Sequence, residues 1–299
     1  MNAARRHAAM SRRAAIAAIA AAAPTMAMGR SAAPGLRSIE KAMWVWQDRL
    51  LQPDGLHSFC LAQNIGTVFL YVTPTAAEAI LAKRSGAREV LAELRASGCR
   101  VFACCGEPDW AMGPTQLPRH LDLLVRIQSE IPSFDGLHLD VEPHALPAWQ
   151  TPDGRAALIA GTLRFFNLVR AHSSGTPVDA AVNVVFADQT TRDGANFLGA
   201  LARQLDSVSI MAYRNRAVAA VAWAMPAIRV VQRAERRWRM GVLVDRNDAE
   251  PGTSWSGTPA AEFAAAMTDL DGRLRTASPQ GYAGLAFEGF DSLRAKLAG

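Results

Sequence analysis

The chain has 299 residues, half of them hydrophobic, and a mean hydropathy near zero, so it can bury a large core without help from disulfides or bound metal. Its formal charge is +5, but six arginines and no acid fall in residues 1–39, which leaves the other 260 residues at −1. The basic excess belongs to the N-terminal segment, and a nucleic-acid surface is not implied.

The chain opens with MNAARRHAAMSRR, continues with AAIAAIAAAAPTMAMG, and then runs through a Ser/Ala/Pro/Gly stretch. A charged region, a short apolar region and small residues in that order predict an export signal, with cleavage after Ala27. Ser11, Arg12 and Arg13 ahead of a weak apolar region resemble a twin-arginine signal, although the usual phenylalanine is missing. The apolar region is shorter than the roughly 20 residues of a membrane span, so no span is expected after signal removal. Residues 1–35 are thus expected to be a leader, residues 38–299 the folded domain, and the mature protein periplasmic or secreted.

From residue 42 onward, short apolar runs alternate with amphipathic segments. The predicted strands are 42–47, 66–72, 99–105, 134–142, 178–184, 206–213, 239–245 and 281–288. Amphipathic stretches such as AREVLAELRASG, PRHLDLLVRIQSEI, DGRAALIAGTLRFFNLVRAHS, DGANFLGALARQL and TPAAEFAAAMTDLDGRL separate them. Strands rich in Val, Ile and Phe, divided by helices, predict a parallel sheet covered on its outside. Eight strands and eight helices within roughly 250 residues predict a single-domain (β/α)₈ barrel. A doubly wound open sheet would carry a Gly-rich phosphate turn after its first strand, and MWVWQDRLL has none. Cys60, Cys99, Cys104 and Cys105 match no zinc spacing. They read as buried thiols, with a disulfide from Cys60 to Cys99 or Cys104 as the alternative.

Active sites of such barrels sit at the C-terminal ends of the strands. There the fourth strand reads FDGLHLDVEPH, with five ionisable residues in eleven. Alternation places His138, Asp140 and Glu142 on one face and Leu137, Leu139 and Val141 on the other. The apolar face packs against helices, so the polar column points into the barrel mouth with Glu142 uppermost. Two close carboxylates do not both ionise easily, which keeps one protonated near neutrality as a general acid.

DGLHLDVE resembles the DGxDxDxE strand of family-18 glycoside hydrolases, the chitinase-like barrels, with Asp135, Gly136, Asp140 and Glu142 in register. SIMAYRN is similar to that family's MxYD motif through Met211 and Tyr213, with Arg214 where an Asp is usual. GLAFEGFD aligns with its GxMxWxxD, with Glu288 at the position of the stacking Trp and His138 at that of the first inner Asp. The resemblance implies that Glu142 protonates a glycosidic oxygen. It also implies that Asp140 orients the substrate's acetamido group and that Tyr213 supports it. The implied ligand is a polysaccharide, taken by a monomer without cofactor or metal.

Glu288 and Glu107 are further candidates to face Glu142 across the mouth. A separation of about 5 to 5.5 Å suits a retaining nucleophile and about 6.5 to 9.5 Å an inverting base. Trp44, Trp46, Tyr71, Trp110 and Trp149 are expected near the upper rim, where flat rings stack on sugar C–H faces. The expected substrate-binding set is therefore His138, Trp44, Trp46, Tyr71, Glu107, Arg214 and Glu288. Two alternatives stay open. One is a carbohydrate-binding barrel without catalysis. The other is a metal-dependent hydrolase using HLDVEPH, although Pro143 interrupts the strand before His144 and no second His pair sits at another strand end.

Overall fold

The computed structural model describes residues 39–298 apart from 84, 85, 132 and 174. The expected leader and the expected domain start at residue 38 lie outside the described residues. Eight strands follow in order: β1 Lys41–Val45, β2 Thr67–Tyr71, β3 Arg100–Cys105, β4 Gly136–Leu139, β5 Val178–Asn183, β6 Ser207–Met211, β7 Arg237–Leu243 and β8 Tyr282–Glu288. Each pairs in parallel with its neighbours, and β8 returns to β1 to close the barrel. The described residues form a single (β/α)₈ barrel, as the alternation predicts.

Two apolar layers explain why the strands lack polar alternation. Outside the sheet, Leu137, Leu139 and Val141 join Val68, Val101, Val182 and Val242 in one core packed against the helices. Inside, Trp44, Phe69, Phe102, Cys104, Ala181 and Ala286 form a separate cluster. Strands buried on both faces read as continuous hydrophobic runs.

Nine helices stand among the described residues, one more than expected, because two separate β2 from β3. They are α2 (Pro74–Leu81), whose N-terminal amide is capped by Thr73, and α3 (Ala87–Ala96). Before them, α1 spans Leu56–Gln63. After them come α4 (Arg119–Glu130), α5 (Pro152–His172), α6 (Phe197–Ala202), α7 (Ala217–Arg233), α8 (Ala260–Ala277) and α9 (Phe290–Ala298).

All four cysteines are free and buried. Cys60 hydrogen-bonds the Cys99 sulfur, and Cys99 Sγ donates to the Ile65 carbonyl at 2.9 Å. The disulfide alternative is not realised.

Candidate active site

β4 is shorter than its sequence pattern. It ends at Leu139, and the Asp140 amide adds one more rung by donating to the Cys105 carbonyl at 3.0 Å. A short 3₁₀ turn, Pro143–Ala145, then follows Glu142, whose side chain makes no capping bond, because Pro143 cannot donate to a continuing ladder. The close approach of β3 and β4 depends on Gly106. A Cβ there would fall 2.0 Å from the Asp140 carbonyl oxygen, so no larger residue fits.

Past the strand ends, a cleft of about 360 Å³ opens at the C-terminal face. Four carboxylates line it: Asp140 and Glu142 after β4, Asp245 after β7 and Glu288 at the end of β8. Tyr213, Trp46 and Trp44 complete its walls and floor. Asp245 escaped the sequence reading because the end of β7 carries no motif. It rests against Gly289, whose φ of 93° suits glycine and whose missing Cβ leaves the carboxylate room at 2.0 Å.

Crowding sets the protonation states. Burial, then the charges of Glu142 and Glu288, push the Asp140 carboxyl well above the usual carboxylate range. Its Oδ1 is buried without a hydrogen-bond partner, as suits an acid kept neutral. Glu288 is also raised, chiefly by burial and by the charges of Asp245 and Glu142, while a hydrogen bond from Tyr213 opposes the rise. Burial and the neighbouring Glu288 keep the Tyr213 hydroxyl protonated. Glu142 stands at the open end with a third of its side chain exposed, and its Oε1 lies 3.7 Å from His144 Nε2. The same His144 nitrogen accepts a hydrogen bond from the Asn183 side-chain amide at 3.1 Å, and burial disfavours its charged form. Neutral His144 is thus a neighbour of Glu142 that only the i, i+2 spacing signals.

His138 requires a correction. It points inward as alternation predicts, but its exposure is 0 % and both ring nitrogens are engaged. Nδ1 donates to Asp179 Oδ1 at 2.7 Å, and Nε2 accepts the Trp44 indole N–H at 2.8 Å. Its ring stacks on Phe69 with centroids 3.8 Å apart. The imidazole is neutral because burial outweighs the pull of Asp179. Asp179 also accepts from Ser207, from Ser209 at 3.0 Å and from Arg239 at 3.4 Å. Burial alone would raise this carboxyl, but these partners hold it below the ordinary value. His138 therefore belongs to a sealed polar layer beneath the cleft, and Trp44, 1 % exposed, is the boundary between the two.

Other expected rim residues lie elsewhere. Trp110 and Trp149 are buried core residues, packed on Phe165 and Phe186. Tyr71 faces Trp46 at 6.4 Å and His120 at 5.8 Å but does not line the cleft. Glu107 is exposed on the turn before Pro108, outside the cleft. Arg214 folds back, donating to its neighbour's carbonyl at 2.7 Å and lying 4.4 Å from the Trp223 ring centroid on α7. Among the described residues no three His, Cys, Asp or Glu side chains are grouped as ligands for a metal ion, so HLDVEPH is not assembled as a ligand set. Among the described residues, no helix is long and apolar enough to cross a membrane. A larger groove of about 960 Å³ runs between α7 and α8, remote from the strand ends and without their carboxylate cluster.

The closed parallel barrel has counterparts of similar fold among known structures. An endo-beta-N-acetylglucosaminidase from Cordyceps militaris is similar to this chain with a TM-score of 0.56 at 13% identity, covering 85% of this chain and 82% of that one. The likeness is one of fold, a closed parallel (β/α)₈ barrel. A class V chitinase from Nicotiana tobaccum gives 0.43 at 17% identity, covering 69% of this chain and 66% of that one. A putative deoxyribose-phosphate aldolase from Toxoplasma gondii gives 0.50 at 13% identity over 88% and 94%. No protein-family model matches the sequence, and no curated protein matches it either. The barrel is thus shared by a glycosidase and an aldolase alike, and its function has to be argued from the cleft.

Proposed function

We propose that this protein is an exported glycoside hydrolase acting on a polysaccharide, with Glu142 as the general acid and Asp140 assisting. The observation that carries the reading is the buried Asp140, its Oδ1 without a hydrogen-bond partner and its carboxyl raised by burial and by the charges of Glu142 and Glu288, lining the same cleft at the strand ends as the more exposed Glu142. Glu142 is exposed enough to reach a glycosidic oxygen. Asp140 can donate its proton as a hydrogen bond to the glutamate or to a substrate carbonyl as charge develops. Trp46 offers an apolar wall for a sugar face, and Tyr213, bonded to Glu288, fixes the orientation of the second carboxylate. Glu288 gives the cleft a second acid–base group where the family-18 pattern has an apolar ring, which supports a substrate held partly by polar contacts. The N-terminal composition supports export.

The test is Glu142→Gln assayed on soluble polysaccharides and on oligomers of N-acetylated and free amino sugars. We expect hydrolysis to fall by about 10²–10⁴-fold, the usual worth of a general acid, with glycan binding retained. Binding without turnover in both the parent and the variant would show instead a carbohydrate-binding barrel.

A further inference from the structure

We propose, resting on the glycosidase reading of the same cleft, that the substrate carries free amino groups, and that Asp245 and Glu288 hold the ammonium of a de-N-acetylated amino-sugar unit. The two side chains are half-buried and stand on one side of the mouth. Leu243 at the end of β7 is paired in register with Glu288 at the end of β8, and Asp245 follows two residues later. Asp140 and Glu142 come from the β4 end, across the barrel. The two pairs still feel each other, since burial and the charges of Asp245 and Glu142 disfavour ionisation of Glu288.

The cleft supplies no positive group to match these acids. Asp140, Asp245 and Glu288 form no ion pair among the described residues, and Arg246 on the same wall donates to Asp248 at 2.6 Å. Neutral donors on the wall are committed as well. The Trp44 indole donates to His138 at 2.8 Å, Tyr213 to Glu288, and the Asn247 amide to Thr253 at 3.0 Å. Asp140 Oδ1, by contrast, is buried in that wall without a partner. The cleft is therefore rich in acceptors and poor in free donors, and an ammonium has three donors and no acceptor. Its charge-assisted bonds to carboxylates are about twice as strong as neutral ones, and they offset the cost of holding like charges together. The acetamido group of an N-acetylated unit makes the opposite demand. Its carbonyl needs a donor, and the Tyr213 hydroxyl that the resemblance assigns to it is spent on Glu288. Among the described residues no three acidic, His or Cys side chains are grouped to hold one metal ion, so the arrangement suits an ammonium carried on a sugar better than a bare divalent cation. The half-buried Trp46 ring offers the sugar an apolar face and a cation a favourable π surface.

Calorimetry on the full chain at about pH 6, where an amino sugar carries its proton, compares oligomers of glucosamine, N-acetylglucosamine and glucose matched in length and linkage. We expect the glucosamine oligomer to bind at least about tenfold more tightly than the other two, and added salt to weaken its binding alone. Asp245→Asn and Glu288→Gln keep the side-chain shapes and should each reduce that preference, and together abolish it, with circular dichroism as the check on folding. Equal or tighter binding of the N-acetylated or neutral oligomer, or an undiminished preference in the folded variants, would overturn the proposal, as would a failure of all three oligomers to bind. Turnover is read separately. Amine-selective binding without hydrolysis rejects the glycosidase reading and retains the ammonium site, whereas hydrolysis confined to N-acetylated oligomers does the reverse.

Discussion

At the scale of single residues, Asp140 has the clearest consequence. Its carboxyl is held neutral by burial and by the charges of Glu142 and Glu288, so the native state binds a proton that the unfolded chain releases above about pH 3.9. A raised native pKa means that stability falls as pH rises from the unfolded value through the native one. Asp140→Asn copies the neutral form and removes that dependence. We expect the variant to match the parent near pH 3.5 and to melt above it at pH 7. Each tenfold difference in proton affinity is worth about 1.4 kcal/mol, or about 2–4 °C in a chain of this size. Melting curves between pH 3.5 and 8 decide the matter, and a gap independent of pH would show that the carboxyl is ionised in the fold. On the proposed function the same substitution should also lower hydrolysis, since a side-chain amide cannot pass a proton to Glu142.

At the scale of elements, the site rests on where β3 and β4 stop. Gly106 lets the two strand ends approach, and Gly106→Ala places a methyl group 2.0 Å from a backbone oxygen. Overpacking of that kind costs about 1–3 kcal/mol, and we expect a loss of that size in urea denaturation together with reduced hydrolysis from a displaced Asp140. A variant with unchanged stability would mean that the strand ends separate freely. The β4 motif was legible because alternation is strict: Leu137, Leu139 and Val141 face the helices, and His138, Asp140 and Glu142 face inward. The depth at which each inward residue sits was not legible. One strand cannot show that Trp44 and Asp179, from β1 and β5, close over His138. Glu288 was visible because it falls in a recognisable motif at the end of a predicted strand, whereas Asp245, which also ends a predicted strand, belongs to no motif. The aromatics misled for a related reason. Trp110 and Trp149 lie on 3₁₀ turns whose large rings fold under the surface, and turns have no period from which a direction can be read.

For the whole molecule, the closed barrel and its helical coat enclose all four thiols. Burial raises the pKa of Cys104 and Cys105, and although the hydrogen bond from Cys60 lowers that of Cys99, this thiol is 4 % exposed, so access rather than thiolate character limits its reaction. We expect no reaction with an aromatic disulfide reagent in native buffer, and modification in denaturant at the rate of global unfolding. Rapid labelling of the native protein would show that the coat opens locally. The polar layer of His138, Asp179, Ser207, Ser209 and Arg239 has a further consequence when set beside the seal that Trp44 makes above it. The groups of that layer and the carboxylates that line the cleft at the mouth are different residues on different storeys, with the Trp44 indole between them. Loops and carboxylates at the mouth can therefore be exchanged by mutation without removing a hydrogen bond from the layer below. A scaffold divided in this way can change its chemistry many times while its interior stays the same.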